Sequence, residues 1–98
     1  MESKLLKQEQ VKYSNALYYI HQTTYIDGKP AIVLDKKKEF EYDFECIVAS
    51  TNLEDTEYDQ VAILSDEIFE LLVDEGIIKY HGFLGSGYNT YYCGKLLA

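Results

Sequence analysis

The sequence predicts a small α+β domain, a mostly antiparallel sheet of about five strands with one main amphipathic helix over residues 66–75. Three observations carry this. Ninety-eight residues with 47% hydrophobic content form a single domain, 1–98, large enough for one core and too apolar for disorder. Ten tyrosines and no tryptophan favour strands, where the ring packs and the hydroxyl stays wet. Only one stretch, "SDEIFELLVDEG", carries helical periodicity between recognisable start and stop residues.

The elements follow in chain order. Residues 1–12 mix lysine, glutamine and leucine and read as an N-terminal arm, either flexible or a short helix. "ALYYIHQTTYI" from Ala16 is a strand that ends at Asp27-Gly28, a pair suited to a type I′ turn. "KPAIVL" is the return strand, starting on an edge because Pro30 has no N–H to donate. "EFEYDFECIV" alternates acid and aromatic, which predicts a third strand. Phe40, Tyr42, Phe44 and Cys46 would face the core, and Glu39, Glu41, Asp43 and Glu45 would form a solvent-facing row. "TNLEDTEYDQ" is a polar loop, and "VAIL" is a short buried strand or a lead-in to the helix.

Ser65 is placed to cap the helix, Asp66 and Glu67 suit its positive N-terminal dipole, and Gly76 stops it. At 100° per residue Asp66, Glu67, Glu70 and Asp74 share an arc about 100° wide. Ile68, Phe69, Leu71, Leu72 and Val73 fall on the opposite side. Two further strands, 77–84 and 88–93, are joined at Gly85-Ser86-Gly87.

Charge narrows the function. The net charge is −8, and from Glu39 to Glu75 there are thirteen acids and no base. All nine basic residues are lysines and lie outside that segment. Such a surface repels a phosphate backbone, so direct nucleic-acid binding is not expected. The run "LLVDEGIIKY" with its glycine-tipped tyrosine hairpin resembles the last helix and wing of a winged-helix domain. That resemblance implies DNA reading by a basic helix face, which Asp66, Glu67, Glu70 and Asp74 contradict. The upstream strands also fit a helix-rich winged fold badly. No apolar run approaches a membrane span or a signal peptide, and Cys46 and Cys93 read as two buried free thiols. A cytoplasmic protein is the expectation.

Catalytic and metal chemistry find little footing. His21 and His81 sit in strand-like segments without a nucleophile motif, and a spatial pairing of Cys93 with a histidine has no support from spacing. Asp55, Glu57 and Asp59 imitate the start of a calcium loop, but Gln60 stands where its sharp turn needs glycine. "GFLGSG" lacks the lysine and the following helix of a phosphate loop. No enzyme activity, metal or cofactor is expected.

The expected function is therefore that of a small acidic binding protein. Its partner would be a protein with a basic, nucleic-acid-binding surface. The acid row of the third strand would run about 20 Å, and Asp66, Glu70 and Asp74 would advance along the helix by about 6 Å per step. Both coarsely imitate a nucleic-acid backbone. An inhibitor of the kind carried by phages or other mobile elements fits this description. An immunity protein neutralising a toxin fits it equally. A third possibility is an oligomeric structural or small-ligand-binding protein that uses Tyr80, Tyr88 and Tyr92 of the C-terminal hairpin. A fourth, that the acids only solubilise the domain, stays open at this point.

Overall fold

The structure, a computed structural model, describes residues 3–41 and 43–97, with Ser86 given by its backbone only. The fold is α+β: two antiparallel sheets and one helix. In chain order the elements are β1 (Lys4–Leu5), β2 (Val11–Tyr13), β3 (Ala16–Thr24), β4 (Pro30–Asp35), β5 (Ile47–Val48), β6 (Ser50–Thr51), β7 (Gln60–Ile63), α1 (Asp66–Asp74), β8 (Ile78–Ser86) and β9 (Asn89–Leu96). The first sheet has the order β1-β3-β4-β5, with β2 also paired to β3; the second has the order β6-β7-β9-β8.

Nine short strands among the described residues thus replace the expected five or so, and they divide between two sheets. The N-terminal segment is neither helical nor a free arm from residue 4 onward. Lys4 and Leu5 pair with Gln22 and His21, and Val11 to Tyr13 pair with Tyr18 to Ala16. Lys7 also forms an ion pair with Glu75 at the far end of α1.

Turn chemistry explains several ladders. Ser14 and Asn15 both have positive φ (51° and 64°), the requirement of a type I′ turn, and they join β2 to β3. At Asp27-Gly28 only Gly28 is left-handed, at φ 88°. The Gly28 N–H donates to Tyr25 O, and the Tyr25 N–H donates to Lys29 O. This is a tight turn closed by a glycine bulge, in place of the expected type I′ turn. Pro30 opens β4 as expected, but β4 lies between β3 and β5 and is not an edge. The last hairpin turns one step later than expected, between Ser86 and Asn89, with positive φ at Gly87 alone of its two central residues.

The largest departure concerns residues 36–41 and 43–46, which form loop and not strand. Buried Asp35 accepts the N–H groups of Lys37 (3.1 Å) and Glu41 (3.2 Å) on its two carboxylate oxygens. Asp43 accepts the Glu45 N–H at 2.9 Å, and its backbone carbonyl accepts from Cys46. Lys37 reaches both Glu41 and Asp43. These local bonds satisfy backbone groups that a ladder would otherwise need. Phe44 is consequently fully exposed, Cys46 is half-buried, and Phe40 lies against the buried His21 ring. Tyr42, assigned to the apolar face by alternation, lies outside the described residues.

The helix begins after Ser65, whose backbone is extended as an N-cap requires but whose side chain makes no capping bond. Its end is a Schellman motif: Gly76 (φ 73°) donates to Val73 O, and Ile77 donates to Leu72 O. Leu72 and Ile77 are both buried.

One core unites the layers. Tyr18, Ile20, Ile32 and Leu34 come from the first sheet, Val61, Ile63 and Ile78 from the second, and Ile68, Phe69 and Leu72 from α1. The joint is Ala49. Its N–H donates to Ile32 O in the first sheet, while its carbonyl accepts from Leu64 beyond β7 of the second. Next to it the buried Ser50 hydroxyl takes the Ile32 N–H at 3.0 Å and meets the Tyr25 hydroxyl at 2.8 Å. That contact lowers the Tyr25 phenol pKa, but burial outweighs it and leaves the value raised.

Three outcomes are expected from this arrangement. Ser50→Ala removes the acceptor for a buried N–H and should cost about 1–3 kcal/mol in urea unfolding; a loss of a few tenths would mean the joint does not need the hydroxyl. Gly94→Ala should also destabilise, by about 1–3 kcal/mol. A Cβ there would sit 2.9 Å from Ile78 Cβ, and a stable folded variant with unchanged unfolding would contradict that packing.

The third concerns acid. Asp27 is held below the ordinary carboxylate value of 3.8, chiefly by the Asn52 amide and then the Lys29 N–H. Asp43 is held below it by the Glu45 N–H and then by Lys37. Depressed folded-state values mean that both contributions are complete above the ordinary value and fade as pH falls through the folded ones. Amide protection factors, taken against the unstructured exchange rate at each pH, should therefore fall below about pH 4 in the 25–29, 52–54, 37–41 and 43–46 loops while α1 stays protected. Uniform loosening of loops and helix together would refute the local assignment.

Candidate functional site: an aromatic ridge flanked by carboxylates

Helix α1 buries Ile68, Phe69 and Leu72, and this fixes the direction of its remaining face. Asp66, Glu67, Glu70 and Asp74 are exposed. Among the described residues none of the four has an ion-pair or hydrogen-bond partner, whereas Glu75 is matched by Lys7. Val73 belongs to the apolar arc on the helical wheel, yet it borders the acids and is partly exposed beside them.

The second component comes from β8 and β9. Phe69 stacks on Tyr92 at a centroid distance of 5.2 Å and meets Tyr80 edge-on at 6.0 Å, and Tyr80 meets Tyr92 at 6.1 Å. Phe69 is 8% exposed, but Tyr92, Tyr80 and Phe83 remain 41%, 52% and 63% exposed. Tyr80 and Phe83 lie on β8, the last strand of its sheet, so one flank of each has no neighbouring strand; Tyr92 is on the interior strand β9.

A bulge decides which rings share a face. Tyr80 pairs with Gly94 and Phe83 with Tyr92, with the register shifting between Tyr80 and Gly82. In an unbroken strand, residues three apart point to opposite faces. The extra residue, His81, brings Phe83 round to the side of Tyr80 and Tyr92. Gly82, at φ 126°, supplies a conformation that other residues rarely adopt.

Two hollows flank the ridge. One, of about 280 Å³, is lined by Asp66, Phe83, Thr90 and Tyr92. The other, of about 410 Å³, is lined by Phe69, Glu70, Val73, Asp74 and Tyr80. Each combines aromatic wall with carboxylate, and among the described residues no base lines either. Such a surface suits a cationic side chain, which gains both charge pairing and contact with a ring face.

The residues singled out in the sequence therefore divide. Asp66, Glu70 and Asp74 join Tyr80 and Tyr92 in one surface, though the sequence presents them as two. Glu67 is exposed on the same helix but lines neither hollow. Tyr88 is fully exposed in the hairpin turn and outside the patch. Glu39, Glu41, Asp43 and Glu45 form no straight row: they belong to the loop after β4, where Lys37 offsets Glu41 and Asp43. Phe83 and Thr90 also line the first hollow, and neither stands out in the sequence. The glycine after His81 was the only sign of the bulge that recruits Phe83.

A third hollow holds His81 and Cys93 together with Asp55 and Glu57. It has the composition of a nucleophile site without its electrostatics. Burial raises the Cys93 thiol pKa, more than offsetting the lowering from a backbone hydrogen bond at Leu84, whereas a nucleophile needs a stabilised thiolate. Among the described residues no group of three or more metal-ligating side chains comes together, and no helix is long and apolar enough to cross a membrane. Comparison of the chain with protein-family models, with curated proteins and with solved structures finds no match.

Proposed function

We propose that this is a non-enzymatic binding protein that docks the outer face of α1 and the neighbouring aromatic ridge onto a basic surface of another protein. Occupying such a surface blocks nucleic acid from it. One observation carries the reading: unpaired Asp66, Glu70 and Asp74 lie against the exposed rings of Tyr80, Phe83 and Tyr92, with no base lining either hollow. Carboxylates alone would be an ordinary solvated face. Large exposed rings beside them are not needed for solubility, and aromatic residues dominate the energetics of protein interfaces.

The charge supplies long-range attraction and the rings supply short-range contact. Electrostatic steering by a net −8 chain raises the encounter rate with a basic partner. Burial of the ridge then lengthens the complex's lifetime. The same chemistry serves an inhibitor of a nucleic-acid-binding protein and an immunity protein against a basic nuclease toxin; the partner's identity separates them. Self-association through this face is disfavoured, because two copies would oppose their acid rows. The reading places the protein in the cytoplasm, where Cys46 and Cys93 remain free thiols.

The test begins with partners captured on the immobilised protein and eluted in rising salt. For a purified partner, Asp66→Lys, Glu70→Lys and Asp74→Lys together should weaken binding on the order of a hundredfold. Glu39→Lys with Glu45→Lys, in the loop, should leave it nearly intact. The complex should also exclude the partner's nucleic acid in a competition assay. Unchanged binding by the helix variant, or a ternary complex with nucleic acid, would overturn the proposal.

A further inference from the structure

We infer that the hollow between the start of α1 and the β8–β9 hairpin is the seat of an arginine side chain of the partner; this rests on the proposed binding role and specifies its central contact. The hollow, of about 280 Å³ and open to solvent, has room for one long side chain entering from a partner's surface. It is lined by two aromatic residues, Phe83 and Tyr92, and by two residues with polar side chains, Asp66 and Thr90.

The geometry favours guanidinium over ammonium. Tyr92 is held in place by Phe69, stacked against it at 5.2 Å with 30° between planes, and by Tyr80 at its edge. A flat cation can lie on such a pre-positioned ring without ordering it first. Asp66 has no partner among the described residues, which leaves both carboxylate oxygens for the paired N–H groups of a guanidinium fork. Lysine offers a strongly hydrated point charge that can meet the carboxylate but gains less from the ring. Charge also disfavours two other occupants: the acidic helix would repel an acidic peptide and the same face of a second copy of this chain.

Two short blocked peptides of equal length and charge, one arginine-rich and one lysine-rich, provide the test by NMR titration of the intact protein. The arginine peptide should bind roughly fivefold tighter and shift the Tyr92 ring signals most. Tyr92→Leu and Asp66→Asn should each reduce that preference to near unity while salt-sensitive binding of both peptides persists through Glu70 and Asp74. Phe83→Leu gives a second reading of the ring contribution, should Tyr92→Leu disturb folding. Equal affinity of the wild type for both peptides would overturn the arginine seat and leave the acidic binding face standing. Binding of neither peptide would count against both.

Discussion

The joint at Ala49 and Ser50 is the constraint on which the rest of this structure depends. Within two residues the chain leaves one sheet and enters the other, and each backbone group there needs a partner because the site is closed to water. Ala49 serves both sheets at once, donating to Ile32 and accepting from Leu64, while Ser50 supplies the acceptor that the Ile32 N–H would otherwise lack. The two inner faces can then share a single core with α1. Ala49 is itself fully buried in that core, so a larger side chain there would have to displace its neighbours.

From this joint follows the position of the helix, and from the helix the free carboxylates. The lysines with defined contacts lie elsewhere. Lys37 ties Glu41 and Asp43, Lys95 meets Asp59, and Lys29 donates to the carbonyls of Leu53 and Glu54. Lys7 reaches only Glu75, past the helix end. Among the described residues no lysine forms an ion pair with Asp66, Glu70 or Asp74. Those carboxylates are also close enough to the ridge to act on the same ligand group, which a charged patch on a separate face could not do.

The exposed rings are a consequence of sheet order combined with one irregularity. An edge strand leaves its side chains open on one flank, and natural edges are commonly shielded by bulges that disturb regular pairing. Here the bulge at His81 does this and also gathers Phe83 with Tyr80 and Tyr92. Stacking on the largely buried Phe69 keeps Tyr92 from collapsing or swinging free. Rigidity in an exposed aromatic favours binding because little side-chain entropy remains to be lost.

The sequence by itself determined the α+β class, the helix with its acidic face and glycine stop, and the β3–β4 hairpin; it left "VAIL" open between a strand and a lead-in to the helix. Each of these depends on neighbours a few residues apart, through helical period, turn conformation or capping geometry. It did not determine the fate of "EFEYDFECIV", because alternation promises a strand only when an edge is open and the backbone is otherwise unsatisfied. Asp35 and Asp43 satisfied it locally, and residues 47–49 took the available edge of β4. The N-terminal ladders were likewise hidden, since two- and three-residue strands carry no readable period, although Ser14-Asn15 marked their turn. Only the tertiary structure could merge the acid arc of α1 with Tyr80 and Tyr92, or bring Phe83 to them. Those contacts join residues distant in the chain, and a single-residue bulge set which face each ring would occupy.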